Sequence, residues 1–292
     1  MRQMTTLVYF FCMLLFLGSS ALEKGEEISQ PGRGKTHQES LVDRNEGTTQ
    51  SPRPDIERTE SLGDTESEID AKDIFLGERL PLAGKTICVD PGHQSQMLKI
   101  KVPIAPGQEK MMPNFNIGTA GVESLTFEYA IALETAYELE KGLKALGAQV
   151  VLTRDSNDMM VGNLERTRIA QEAGADITLS LHCDGNEDET IHGLSVLYPG
   201  NKYIEDCDLL EKSRVLSQAV LKHVIKETEA RNRGLSARND LIVFNYSKNP
   251  CTLIELGFLT NPREDSLLNS QEYRSRLVEG IIKGVIEYFK VY

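Results

Sequence analysis

The sequence is poor in the features that mark nucleic-acid-binding proteins and repeat proteins. Its 292 residues contain 32 Lys and Arg but 44 Asp and Glu, which gives a formal net charge of −12 at pH 7. Because nucleic-acid affinity comes mainly from basic side chains that neutralise phosphates, this balance argues against nucleic acid as a partner. No internal repeat is visible along the chain. Peptidic and sugar substrates both remain compatible with this composition.

Cysteines are also few. One of the five, Cys12, lies in an apolar segment near the N-terminus, and the other four are scattered over the rest of the chain. Four scattered cysteines do not make the disulfide framework that stabilises small exported domains. Cys88, Cys183 and Cys251 lie in or at the ends of apolar runs, so we expect them to be small buried hydrophobic residues.

The N-terminus lacks an apolar run long enough for a stable membrane span. Residues 1–21 contain Arg2, an 11-residue apolar run at 7–17, and small residues at 19–21. This pattern predicts a secretory signal peptide, and an uncleaved N-terminal anchor is the alternative. Either way we expect export across the cytoplasmic membrane to the cell wall or the extracellular space. Membrane contact is expected only through an uncleaved N-terminal segment.

Aromatic residues are missing from 22–73, a stretch rich in Glu, Ser, Thr, Gly and Asp with no helical or strand period. Such a composition cannot bury enough apolar surface to fold, so we predict a disordered acidic spacer over 22–75. The remaining residues, 76–292, have the length of a single domain.

Short apolar runs alternate with amphipathic segments through 76–292. The runs predict strands at 85–90, 148–154, 176–182, 193–199, 241–245 and 251–256. The amphipathic segments predict helices at 126–146, 163–173, 204–229 and 271–290. This alternation indicates an α/β fold, a single domain with a mostly parallel twisted sheet flanked by helices on both faces. In such sheets the functional site usually lies at the carboxyl ends of the strands.

Two of the five histidines lie at predicted strand ends. His93 follows the first strand, and His182 ends the strand in which Ile177, Leu179 and Leu181 share the opposite face. Two imidazoles, one carboxylate and a water would make a catalytic zinc site with an open fourth position. The alternative for a single histidine of this kind is a hydrogen-bonded core residue. The other three histidines, His37, His192 and His223, are expected to lie at the surface or to support the site without binding the metal.

Two glutamates, Glu123 and Glu128, compete for the carboxylate position. On a helical wheel Glu128 lies at the edge of the apolar stripe, whereas Glu123 would lie on the polar face. A carboxylate turned toward the core needs a partner, and a metal ion is one. With Thr126 as a predicted N-cap, the alternative is that Glu128 only complements the positive helix end.

A third carboxylate, Glu255, lies in the apolar run LIELGF. Burying a carboxylate there is unfavourable unless it has a partner or a chemical role. In metal-assisted hydrolysis such a group takes a proton from the attacking water and returns it to the leaving group. The alternative is a salt bridge to Arg238 or Arg263.

Five blocks in order resemble the zinc-dependent N-acetylmuramoyl-L-alanine amidases of the amidase-3 type, and the resemblance covers residues 82–292. The blocks read ICVDPGH, EYAIALETAYELEKGLKALGAQVVLTR, ERTRIAQEAGADITLSLHCDG, RNRGLSARNDLIVF and CTLIELGFLTNPRED. The resemblance implies cleavage of the amide between N-acetylmuramic acid and the L-alanine of the peptidoglycan stem peptide. It also implies one Zn²⁺ per domain, with His93, Glu128 and His182 as ligands and Glu255 as the general base.

The chain departs from the family pattern after His93, where residues 94–120 form a long connection to the helix. Loops of that length are usually functional or mobile, so we expect it to border the substrate groove. The sequence leaves two rival functions open, an inactive wall-binding or regulatory domain and a zinc peptidase acting within the stem peptide. It implies peptidoglycan as the partner and no obligate protein partner.

Overall fold

A computed structural model describes residues 80–292, so the predictions for 1–21 and 22–75, and the first four residues of the predicted domain, lie outside the described residues. Strands and helices alternate along this part of the chain. The strands are β1 (Thr86–Pro91), β2 (Lys101–Pro103), β3 (Met111–Pro113), β4 (Gln149–Leu152), β5 (Ile177–Asp184), β6 (Leu194–Pro199), β7 (Asn232–Arg238) and β8 (Cys251–Phe258). The helices are α1 (Glu128–Ala145), α2 (Asn163–Glu172), α3 (Cys207–Thr228), α4 (Ile242–Asn245), α5 (Pro262–Asn269) and α6 (Gln271–Phe289).

The main sheet has six strands in the order β4-β1-β5-β8-β6-β7. Strands β4, β1, β5 and β8 run parallel to one another, β6 pairs antiparallel with β8, and β7 runs parallel to β6. Helices α1, α3 and α6 pack together over one face, while α2 and α4 contact each other over the other. The predicted fold class, a mostly parallel sheet flanked by helices on both faces, is confirmed.

The alternation along β5 determines which face receives the polar side chains. Ile177, Leu179 and Leu181 are fully buried in the large core beneath α1, α3 and α6. Ser180 and His182 point to the opposite face, where Ser180 donates a hydrogen bond to Asp90 of β1. The face that carries α2 and α4 is therefore the one on which polar groups collect at the carboxyl ends of the strands.

One predicted strand in the C-terminal half was wrong, and one strand was missed. Residues 241–245 form no strand, because the short apolar run coils into α4 and buries Ile242 and Phe244 against the sheet. A run of that length cannot be assigned to strand or helix by periodicity alone. The strand lies just before it, in β7, whose polar sequence NRGLSAR belongs to a sheet edge and gives no apolar signal.

Helix α5 was also missed, although its start carries a recognisable signal. Pro262 occupies the first turn, and the Asn261 side chain caps the helix by accepting from the Glu264 N–H. Helix α3 begins at Cys207 rather than at 204, because the Asp206 side chain accepts from the N–H groups of Asp208 and Leu209.

All four cysteines of the described residues are free, and three of them, Cys88, Cys183 and Cys251, are buried as predicted. Burial raises the pKa of the Cys251 thiol to about 12, so it stays protonated and inert at neutral pH. Cys207 is exposed. Between residues 80 and 292, no helix has the length and apolarity that a membrane crossing requires.

The packing of α3 against α6 depends on glycines in α6. A Cβ atom on Gly284 would lie 2.6 Å from Val220 Cα, which is backbone that cannot turn away. On Gly142 of α1 it would meet only Ile282 Cδ1, the flexible tip of a side chain, at 2.5 Å. The two glycines therefore form a matched pair of helix-interior positions.

We expect Gly284→Ala to destabilise the domain by about 1–3 kcal/mol, because α3 and α6 must move apart. Gly142→Ala should leave stability unchanged or raise it, since alanine is the better helix former by about 1 kcal/mol. Urea unfolding of both variants measures the difference. Equal stabilities would show that the helices do not pack this closely in solution.

Candidate metal centre

Three side chains from separate elements meet at the carboxyl edge of the sheet. They are His93 after β1, Glu128 at the first position of α1, and His182 on β5, and one ligand atom of each lies within 4.8 Å of the others. His93 Nε2 lies 3.1 Å and His182 Nδ1 2.9 Å from the same oxygen, Glu128 Oε1. The three candidate ligands named from the sequence are thus brought together.

The electrostatics of the cluster centre on Glu128, which is 3% exposed. Burial raises the pKa of its carboxyl group, but the hydrogen bonds and charges of His182 and His93 outweigh this and hold the pKa well below its usual range. Burial lowers the pKa of His182, against the opposing effect of Glu128. An ionised carboxylate facing a neutral imidazole is the protonation state that binds a metal ion.

The loop before α1 orients His93 and Glu128. His93 Nδ1 lies 3.1 Å from the Asn116 carbonyl oxygen, so Nδ1–H donates and Nε2 faces Glu128. The Thr119 N–H donates to Glu128 Oε2 at 3.0 Å, and the Cys183 N–H donates to Oε1 at 3.0 Å. These bonds fix the carboxylate before any ligand arrives, as second-layer contacts of metal sites do.

Two glycines make room for the cluster. A Cβ atom on Gly92 would overlap the His182 ring, and one on Gly118 would overlap both Glu128 Oε2 and the His93 ring. Gly118 also has φ of 75°, a conformation that favours glycine. The backbone must therefore approach the three side chains closely at both positions.

The two candidate glutamates lie in different environments. Glu128 is buried in the cluster, whereas the Glu123 side chain is exposed, and only its backbone N–H is bonded, to Asp265. The predicted N-cap at Thr126 was wrong. Helix α1 begins at Glu128 after Phe127, without a side-chain cap, because Asp265 holds the preceding loop instead.

Glu255 lies beside the cluster, on β8, with His182 as its partner across the β5–β8 pair. Its Oε2 atom is buried and has no hydrogen-bond partner within the described residues. Burial raises the pKa of Glu255, and the negative charges of Glu128 and Asp184 raise it further. The salt-bridge alternative is not realised with Arg238, which pairs with Asp240 at 2.7 Å.

The long connection after His93 has more structure than its sequence suggested. Strands β2 and β3 form an antiparallel hairpin within it. The hairpin is anchored to α4 through Asn245, whose amide donates to the Ile104 carbonyl, and through Tyr246, whose hydroxyl donates to the Pro103 carbonyl. It therefore lies on the same face of the sheet as His182 and Glu255, and the segment that follows β3 supplies Asn116.

Sequence reasoning missed the residues that hold the ligands in place. Asn116 acts through its backbone carbonyl and so has no residue-type signal. Asp265 is fully buried and accepts from Glu123 N–H at 2.9 Å, Ser124 N–H at 2.8 Å and the Ser124 hydroxyl at 2.6 Å. It comes from α5, 142 residues along the chain from Glu123, so only the tertiary structure reveals the contact.

Two imidazoles and a carboxylate at the edge of an α/β sheet, with an unpaired carboxylate beside them, are typical of metal-dependent hydrolases. Comparison with known proteins agrees with that class. The family model described as N-acetylmuramoyl-L-alanine amidase matches residues 87–287. The chain belongs to this amidase family.

Individual relatives are moderately similar. The probable cell wall amidase LytH of Staphylococcus epidermidis is 29% identical over 209 residues, which cover 72% of this chain and 60% of LytH. The chain thus spans less than two thirds of that relative.

Among solved structures, an N-acetylmuramoyl-L-alanine amidase from Clostridium difficile 630 superposes with a TM-score of 0.59 and 27% identity, covering 70% of this chain and 97% of its own. Ami1 of Mycobacterium smegmatis, at 23% identity, shares the fold with a TM-score of 0.64, over 72% of this chain and 99% of its own.

We expect Asp265→Ala to destabilise the domain by about 2–4 kcal/mol, because it removes a fully buried acceptor that holds two N–H groups and one hydroxyl of the loop before α1. Hydrogen exchange of the Glu123 and Ser124 amides should accelerate more than exchange in the core of β5. Asp188→Ala, at an exposed aspartate that bonds only within its own turn, is the control. Unchanged exchange at Ser124 would contradict this role of Asp265.

Proposed function

We propose that residues 76–292 form a zinc-dependent amidase that cleaves the bond between N-acetylmuramic acid and L-alanine in peptidoglycan. The observation that carries this proposal is the convergence of His93 and His182 on one oxygen of Glu128, with the unpaired Glu255 on the neighbouring strand. Family membership and the names of the relatives support the substrate.

The donor set fits zinc. Zinc accepts imidazole nitrogen and carboxylate oxygen, and catalytic zinc sites have three protein ligands and one open position. The side chains of His93, Glu128 and His182 would hold one ion, and each is already oriented by its neighbours. When bound, zinc supplies Lewis acidity that lowers the pKa of a water molecule and polarises the scissile carbonyl.

Glu255 is assigned the proton transfers. Its buried, unpartnered carboxylate oxygen can accept the proton of the attacking water and then deliver it to the departing alanine nitrogen. The pKa of Glu255 is raised by burial and by nearby carboxylates, and a bound divalent cation acts in the opposite direction.

The rest of the proposal concerns the cellular setting. Residues 1–21 would direct export, and 22–75 would link that segment to the catalytic domain. Peptidoglycan is the proposed substrate, and the cell wall or its outer surroundings the site of action, in keeping with the naming of LytH as a probable cell wall amidase.

Glu255→Gln should lower kcat on purified peptidoglycan by roughly 10²–10⁴-fold, because it removes the general base without changing the shape of the side chain. The variant should still bind one zinc per chain, as measured by elemental analysis. Glu123→Gln, at the exposed neighbouring glutamate, is the control and should retain full activity. Wild-type turnover in Glu255→Gln would reject the assignment of the base.

Glu128→Ala should lose stoichiometric zinc together with activity, since two imidazoles alone form an incomplete site. Elemental analysis after dialysis against a weak chelator measures the loss. A Glu128→Ala protein that keeps one zinc per chain would rule Glu128 out as a ligand.

Product analysis separates the proposed amidase from its two rivals. Mass spectrometry of digested peptidoglycan should find free stem peptides that begin with L-alanine. Peptides cut between later residues would indicate a zinc peptidase acting within the stem. Absence of any soluble product from zinc-loaded protein would indicate a binding or regulatory domain.

A further inference from the structure

Arg154, two residues beyond the end of β4, is a buried cation without a carboxylate partner. It is 1% exposed, and within residues 80–292 no Asp or Glu lies in ion-pair range of its guanidinium. The nearby Arg166, by contrast, pairs with Asp90 at 2.7 Å. Burial, reinforced by the charge of Arg166, lowers the pKa of Arg154 to about 10, so it still carries its charge at neutral pH. A buried unpaired charge is costly and calls for compensation.

The compensation comes from neutral oxygens. The two most distant are the Ser156 carbonyl and Asn157 Oδ1, both at 3.2 Å. The three closest are the carbonyls of Pro91 and Gly92, each at 2.9 Å, and of Tyr129 at 2.7 Å. A guanidinium has five N–H donors in a fixed plane, and here the five bonds use all of them.

The three closest acceptors lie next to two of the candidate ligands. Pro91 and Gly92 directly precede His93, and Tyr129 directly follows Glu128. Apart from the candidate ligands themselves, Arg154 is the one side chain in the described part of the chain that hydrogen-bonds both the segment leading to His93 and the first turn of α1. Arg166 contacts only the first, through the carbonyls of Pro91 and His93 at 2.6 and 2.7 Å.

His93 needs such support because its backbone is in an uncommon conformation. Its φ is 58°, the left-handed region that residues other than glycine rarely occupy. Such a conformation persists only where the surrounding contacts enforce it. Arg154 and Arg166 together bind the carbonyls of Pro91, Gly92 and His93, so the segment carrying the imidazole is held at three consecutive peptide groups.

We propose that Arg154 is a positioning residue that sets the spacing of His93 and Glu128 and so preorganises the metal centre. This inference rests on the proposed zinc site. Replacing Arg154 should therefore weaken metal binding more than it lowers the free energy of unfolding, because its hydrogen bonds join the segment that carries His93 to the segment that carries Glu128. Lysine cannot replace it, since an ammonium group keeps the charge but has three donors and no planar fork.

The test measures zinc affinity of the full chain by competition with a chromogenic chelator, alongside urea unfolding of the metal-free protein. Arg154→Lys should weaken zinc binding at least tenfold while the protein remains folded. The matched control is Arg274→Lys in α6, another buried arginine, which pairs with Glu134 and donates to the Leu268 carbonyl away from the cluster. It should lower stability and leave zinc affinity within twofold of wild type.

A milder variant covers the case in which Arg154→Lys fails to fold. Asn157→Ala removes one acceptor of Arg154 from a half-buried position and leaves the guanidinium in place. It should weaken zinc binding severalfold and hardly change the unfolding midpoint.

The inference is overturned if folded Arg154→Lys binds zinc within twofold of wild type, or if Arg274→Lys weakens zinc binding as much. Where Arg154→Lys is unfolded, unchanged zinc affinity in Asn157→Ala overturns it. Failure of the wild-type protein to bind zinc is a separate result, because it rejects the proposed function itself.

Discussion

A carboxylate that is almost completely buried, Glu128, is the constraint around which the candidate metal site is organised. One of its oxygens lies within 3.1 Å of both imidazoles, and the carboxylate accepts hydrogen bonds from two backbone N–H groups, those of Thr119 and Cys183. These four groups come from three parts of the chain, so β5, the loop after β1 and the loop before α1 must all reach the same point. A charge buried to this extent is tolerated only where such partners surround it.

The surrounding structure can be understood as support for that cluster. Glycines at 92 and 118 let the backbone come close, Asp265 holds the loop before α1, and Arg154 joins the segments of His93 and Glu128. Much of this support consists of buried hydrogen-bonded groups rather than apolar contacts. The large apolar core lies on the other face of the sheet, beneath α1, α3 and α6. Most of the stabilising apolar contacts thus lie on one face of the sheet, and the candidate metal site lies on the other.

Much of the fold and the four candidate site residues could be predicted from the sequence, and the errors have identifiable causes. The strands of the parallel sheet are largely buried, and they give apolar runs, as in β8, or a clear alternation, as in β5. The edge strand β7 is polar and exposed, so its sequence carries no such run, and the apolar residues after it coil into α4 instead. The start of α1 was misjudged at Thr126 because the contact that replaces a cap comes from Asp265, far along the chain.

The sequence by itself determined the α/β class and the placement of His93 and His182 at strand ends, because alternation and helical periodicity are local properties of the chain. It also favoured Glu128 over Glu123 through the helical wheel. Only the tertiary structure decided that these three side chains meet at one oxygen, that Glu255 has no ionic partner among residues 80–292, and that Arg154 bridges the segments of His93 and Glu128. Those facts depend on contacts between residues distant along the chain, and local pattern carries no information about such contacts.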